Sequence, residues 1–141
     1  MAGKTVDVLE TGNRGGFVHT VLMDGPKFHT WILLMEAGQR DEMHCHNADE
    51  TFYCVQGNGH IVYLDQPPAE LKAGTVALIP GGQFYALDNS TATERMILLG
   101  NRALTYLADK TIIHATKQRH LWPGQDPLVD PPLPQGTSIL V

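Results

Sequence analysis

Short apolar runs broken by glycine and proline make up most of the chain. Residues 17–23 read as a strand, Asp24-Gly25-Pro26 as a turn and residues 28–35 as the next strand. An Asp-Gly pair between apolar runs favours a hairpin. Residues 51–55 form another extended run, followed by Gly57-Asn58-Gly59 as a tight turn and residues 60–64, rich in β-formers. Gln66-Pro67-Pro68 ends that run. Residues 75–79 follow and stop at Pro80-Gly81-Gly82. Residues 84–87 and 96–99 are further strands around a polar turn at 89–93. The stretch 103–115 has no clear period, although Thr111-Ile112-Ile113 favours strand. No long apolar period of 3.6 residues and no internal repeat is visible.

This pattern predicts an all-β domain, a sandwich or barrel of many short strands. The tail is different. Five of the nine prolines lie between Pro123 and Pro134, so that segment can join neither a central strand nor a helix. Trp122, Leu128, Leu133 and Ile139-Leu140-Val141 give it apolar surface to bury. The expectation is one domain over 1–141, with a barrel core at about 17–115 and a C-terminal arm at about 116–141.

With 141 residues, one core is feasible without staples. A hydrophobic fraction of 43% and a charged fraction of 18% are those of a globular chain. The net charge of −5 disfavours a phosphate-backbone or anionic-membrane partner. Two cysteines, Cys45 and Cys54, are too few for a disulfide scaffold. With no apolar leader and no bilayer-length span, the expected location is cytoplasmic, with reduced thiols.

The candidate chemistry lies between Gly38 and Gly57. His44 and His46 are one residue apart, so on an extended strand both imidazoles share a face. Glu50 follows at the mouth of the next strand. Two imidazoles and a carboxylate are a common donor set for a divalent transition metal with open positions. Alternation from Glu50 places Phe52 and Cys54 on the inner face, while Cys45 points away from the histidines. Arg40 is a candidate anchor for a substrate carboxylate if the strand extends that far. His29 and His60 are candidates to reach the pocket; His19, His114 and His120 read as ordinary, and Trp31, Tyr53 and Tyr63 as barrel packing.

The spacing Gly38, His44, His46, Glu50, Gly57 resembles the first motif of the cupin superfamily at every fixed position. Gly74, Pro80, Gly82 and Asn89 keep the spacing of the second motif, with Tyr85 where that motif has histidine. The resemblance covers about residues 17–100. It implies a jelly-roll-like barrel of two antiparallel sheets with a metal near its mouth. Carried over, His44, His46 and Glu50 would be metal ligands. Tyr85 would be a fourth ligand or a hydrogen-bond donor lining the pocket, with Gln83 a weaker substitute. Asn89 would be structural.

That resemblance implies one divalent transition metal per chain, with iron favoured and manganese, nickel, zinc or copper open. The expected function is a metal-dependent enzyme acting on a small organic molecule, leaning to a mononuclear non-haem iron dioxygenase. Tyr85 and Glu50 would be its catalytic residues. The alternatives are a redox-neutral lyase, isomerase or cyclase with Tyr85 as acid or base, and a non-catalytic barrel that binds a small ligand. The resemblance also implies a homodimer; the expected partner is a small-molecule substrate, and the acidic charge argues for no nucleic-acid or membrane partner.

Overall fold

A computed structural model describes residues 3–12, 18–120 and 137–139. Two six-stranded sheets carry the structure. One has the order β12-β1-β2-β9-β4-β7 and the other β11-β10-β3-β8-β5-β6. The first is built from β1 (Val18–Asp24), β2 (His29–Met35), β4 (Glu50–Gln56), β7 (Val76–Ile79), β9 (Met96–Arg102) and β12 (Thr137–Ile139). The second comprises β3 (His44–His46), β5 (Asn58–Tyr63), β6 (Ala69–Lys72), β8 (Tyr85–Asp88), β10 (Thr111–Ile113) and β11 (Arg119–His120). From β2 onward the chain passes repeatedly between the sheets, the all-β barrel that the punctuation predicts. A one-turn helix at Val8–Gly12 and a 3-10 turn at Tyr106–Ala108 are the only helical pieces among the described residues.

The Asp24-Gly25 hairpin joins β1 to β2, and the Gly25 amide donates to the Phe28 carbonyl at 2.8 Å. The Gly57 segment differs from expectation. It is a corner at which the chain leaves the first sheet for the second, because β4 and β5 do not pair with each other. Gly57 has φ +103°, and a Cβ there would lie 2.7 Å from the Arg95 carbonyl oxygen. Only glycine combines that backbone with that closeness. Strand β6, behind Pro67-Pro68, has no counterpart in the sequence reading.

Alternation places the core. In β4, Glu50, Phe52 and Cys54 face inward while Thr51, Tyr53 and Val55 face outward. Trp31, Leu33, Met35, Phe52, Cys54, Ile61, Leu71, Ile79, Tyr85, Leu87, Met96 and Leu98 fill the space between the sheets. Tyr53 is 45% exposed, so it does not pack the barrel as expected. Strands β2 and β9 are apolar on both faces because a second cluster forms outside the first sheet. There Val6 and Val8 pack on Leu22, Ile32, Leu34 and Ile97. A strand covered on both faces reads as a continuous apolar run, which accounts for residues 31–35 and 96–99.

The stretch 121–136, which holds most of the predicted arm, lies outside the described residues. Beyond it, the backbone of Thr137–Ile139 pairs in parallel with β1 at the edge of the first sheet. No helix among the described residues is long and apolar enough to cross a membrane.

Candidate functional site

The barrel interior brings His44, His46, Glu50 and Tyr85 onto facing walls. His44 is the cross-strand partner of Tyr85 in the β3–β8 pair, with ring centroids 4.4 Å apart. The two imidazoles stand edge to face at 5.1 Å. Tyr85 also meets Phe52 at 5.7 Å. All four candidate residues are buried.

A fifth residue, absent from the sequence reading, occupies the centre. Arg102 ends β9, where Met96, Leu98 and Gly100 set the inward phase. Its cross-strand neighbours are His29 on β2 and Glu50 on β4. The guanidinium is buried, at 3% side-chain exposure. Nε and Nη2 donate to Glu50 Oε2 at 2.8 and 2.5 Å. Nη2 also donates to His46 Nε2 at 3.1 Å. Nη1 donates to Asp109 Oδ2 at 2.6 Å and, more weakly, to His29 Nε2 at 3.4 Å. Arginine has five N–H donors, and each has an acceptor. Trp31 lies over the guanidinium carbon, 5.3 Å from the ring centroid. That ring fits because residue 100 is glycine: a Cβ there would sit 2.2 Å from Trp31 Cε2.

This network fixes the histidine tautomers. Arginine can only donate, so His46 Nε2 accepts and Nδ1 carries the proton. Nδ1–H faces Asp109 Oδ1 at 3.0 Å and Thr111 Oγ1 at 3.1 Å. His29 is protonated at Nδ1 by the same logic, donating to the Leu104 carbonyl at 3.0 Å. His44 Nδ1–H donates to the Glu42 carbonyl at 2.6 Å, which turns Nε2 away from it. Glu50 Oε1 is buried and has no hydrogen-bond partner.

The electrostatics follow from burial and from Arg102. Burial opposes the Arg102 charge, but Asp109 and Glu50 overcome it and raise its pKa further. Burial would likewise lift Asp109; Arg102 and His46 hold it below the ordinary carboxylate range. Burial lowers His44 to about 3, with His46 adding to the effect. Burial and the nearby Glu50 charge push the Tyr85 phenol well above 10.

A metal ion would need lone pairs from His44, His46 and Glu50. Arg102 already takes the His46 Nε2 lone pair and one Glu50 oxygen. Among the described residues no group of three or more His, Cys, Asp or Glu side chains is placed to hold a metal. As arranged, the donor set does not fit a metal ion. Arg102 and Asp109 were missed for different reasons. In the folded β9 the inward phase of Met96, Leu98 and Gly100 carries Arg102 into the core, but the unbroken apolar run 96–99 hides that phase in the sequence. Asp109 follows the 3-10 turn, and no local pattern singles it out.

The remaining candidates fall elsewhere. His29, one of two candidates to reach the pocket, is buried beside Arg102. Arg40 is exposed and bridges to Asp88, lining a groove on the outside of the barrel with Asp41 and His114. It therefore cannot anchor a ligand beside His44. Gln83 bonds Gln66 at the surface at 2.9 Å. His60 pairs with Asp88 on the outward phase of β5. His19 is buried against Trp31, ring centroids 5.0 Å apart. Asn89 is structural: Nδ2 lies 3.1, 3.1 and 2.9 Å from the carbonyls of Met35, Glu36 and Glu94. Cys45 and Cys54 are buried free thiols whose pKa values burial raises.

Fold and motif spacing define a double-stranded β-helix barrel. Residues 31–100 match the family model described as a cupin domain, and the chain belongs to the cupin superfamily. Solved structures agree. An uncharacterised double-stranded β-helix protein from Klebsiella pneumoniae superposes with TM-score 0.66 at 20% identity, over 77% of this chain and 96% of that one. The DMSP lyase DddQ from Ruegeria pomeroyi gives 0.62 at 16% identity, over 78% of this chain and 59% of that one. An RmlC-like cupin from Methanocaldococcus jannaschii gives 0.60 at 15% identity, over 66% and 84%. At these identities the likeness establishes the fold alone. No curated protein matches the sequence.

Proposed function

We propose that this cupin binds a small organic molecule inside the barrel, recognised by Tyr85, His44 and Glu50. One observation carries the reading. Glu50 Oε1 is buried without a geometrically formed hydrogen bond while Arg102 holds Oε2, the Tyr85 phenol interacts with the same carboxylate, and the His44 ring lies 4.4 Å from that of Tyr85. A buried acceptor without a donor is costly, and a ligand bearing a hydroxyl or ammonium group relieves it. Tyr85 supplies the reciprocal donor, and Phe52 an apolar floor. Proton transfer is less well supported. General acids and bases work best with pKa values near the operating pH, and His44 and Tyr85 are displaced in opposite directions from it. A redox-neutral lyase or isomerase would need Tyr85 to ionise against burial and Glu50.

The test is ligand affinity on metal-stripped protein, screened with small amines, amino acids and hydroxy acids. Tyr85→Phe and His44→Gln should each weaken a hit by about 10- to 100-fold, the worth of one buried hydrogen bond of about 1–3 kcal/mol. Hits indifferent to both substitutions would refute the assignment. A second reading is the metal-dependent enzyme, with an iron dioxygenase as its leading form. The chemistry of the His44, His46, Glu50 and Tyr85 set favours it. It requires Arg102 to leave His46 and Glu50, and its readout is oxygen consumption that depends on added Fe(II).

A further inference from the structure

We infer that Arg102 is the resident cation of this barrel: its guanidinium holds the Glu50 and His46 lone pairs that a metal would use, in a network that folds and persists without metal. The placement is built rather than incidental. Arg102 sits in one row across three strands, between His29 and Glu50. All five of its N–H donors reach acceptors on those residues, His46 and Asp109. Trp31 closes one face of the guanidinium. Asp109 completes the device from the far side. By accepting a hydrogen bond from His46 Nδ1–H, it leaves the Nε2 lone pair facing Arg102. A divalent ion between His46 and Glu50 would meet a fixed positive charge, and like charges at such range repel strongly in a low-dielectric interior.

The network also assigns roles. Arg102 has no donor left for a ligand anion, so it is a positioning residue. It fixes which Glu50 oxygen is engaged and which faces the interior.

The experiment is metal retention by the tag-free full chain after chelation. The chain is reloaded with Mn(II), Fe(II), Ni(II) or Zn(II), desalted and assayed by elemental mass spectrometry and thermal melting. Wild type should keep less than about one-tenth of an equivalent, with no change in melting temperature. Arg102→Gln should keep about one equivalent and melt several degrees higher with metal than without. Stoichiometric metal in wild type that His46→Ala abolishes would overturn the inference, as would a folded Arg102→Gln that takes no metal. Should Arg102→Gln not fold, nitrogen-15 NMR of wild type decides. The Arg102 Nε–H resonance should survive Mn(II) unbroadened, and selective broadening would overturn the proposal. Ligand affinity is read on stripped protein, so either reading can fail without the other.

Discussion

Replacing Asp109 by Asn tests whether the buried network stabilises the fold as a unit. Asp109 accepts from Arg102 at 2.6 Å and from His46 at 3.0 Å, at 1% side-chain exposure. Asn keeps the shape but loses the charge and turns one acceptor into a donor facing Arg102 or His46. Removing one partner of a buried ion pair costs about 3–5 kcal/mol, mostly because the other charge is left uncompensated. For a domain of this size that lowers the melting temperature by roughly 10–15 °C. Arg102→Met alone should cost a similar amount, since it strands Glu50 and Asp109. The two together should cost at least about 1 kcal/mol less than their sum, because the second change removes the charge that the first left unpaired. The pH dependence has a definite sign. Arg102 and His46 hold the folded Asp109 pKa below its unfolded value of about 4. Its contribution is therefore present above pH 4 and is lost as pH falls through the lower folded value. Asp109→Asn should flatten the decline in wild-type stability below pH 4. The measurements are urea unfolding at pH 7 and thermal melts from pH 2 to 7. A single variant within about 1 kcal/mol of wild type, or strictly additive costs, would refute the reasoning.

Three further outcomes follow from neighbouring features. Asp41 accepts the Leu87 amide at 2.7 Å, and burial pushes its carboxyl up to about 8. Its contribution is full below the unfolded value of about 4 and is lost as pH rises toward 8. Asp41→Asn keeps the acceptor, so its melting temperature relative to wild type should climb between pH 5 and 8; parallel curves would contradict this. Gly100→Ala would push a methyl group into Trp31. It should cost about 1–3 kcal/mol by overpacking and shift tryptophan fluorescence; an unchanged spectrum counts against the Trp31–Arg102 stack. Gly57→Ala should cost at least about 1 kcal/mol, since φ +103° and the Arg95 carbonyl both oppose a Cβ. Denaturant melts check it, and a neutral result would mean that the corner is not tightly held.

Much of this was legible in the sequence because strands write themselves in period two. Alternation from Glu50 gives Phe52 and Cys54 as core, and the His44-x-His46 spacing puts both rings on one wall. The prediction weakens wherever a sheet is covered twice. Residues 31–35 and 96–99 lost their alternation to the outer cluster, so the inward phase of β9 was not followed to Arg102. The meeting of Arg102 with Asp109, His46 and His29 was beyond reach for another reason. It depends on strand order, which pairs β9 with β2 and β4 and brings the loop after the 3-10 turn beneath β3. No local spacing encodes those pairings. Tyr53 shows the converse limit: an aromatic residue at a regular strand position faces outward when the phase is set by Glu50.

The row His29–Arg102–Glu50 also acts as a pin against slippage. Sheets tolerate a shift of one residue poorly because it reverses every side chain, yet β9 is apolar on both sides through Leu99 and would lose little there. The difference is made at its last residue. A slip of one position would turn Asn101 inward and Arg102 outward, leaving Glu50 and Asp109 as two buried carboxylates with no cation between them. Misregistered β9 is thereby disfavoured by electrostatics at a place where hydrophobicity barely discriminates, and the chain reaches one barrel in preference to its near neighbours.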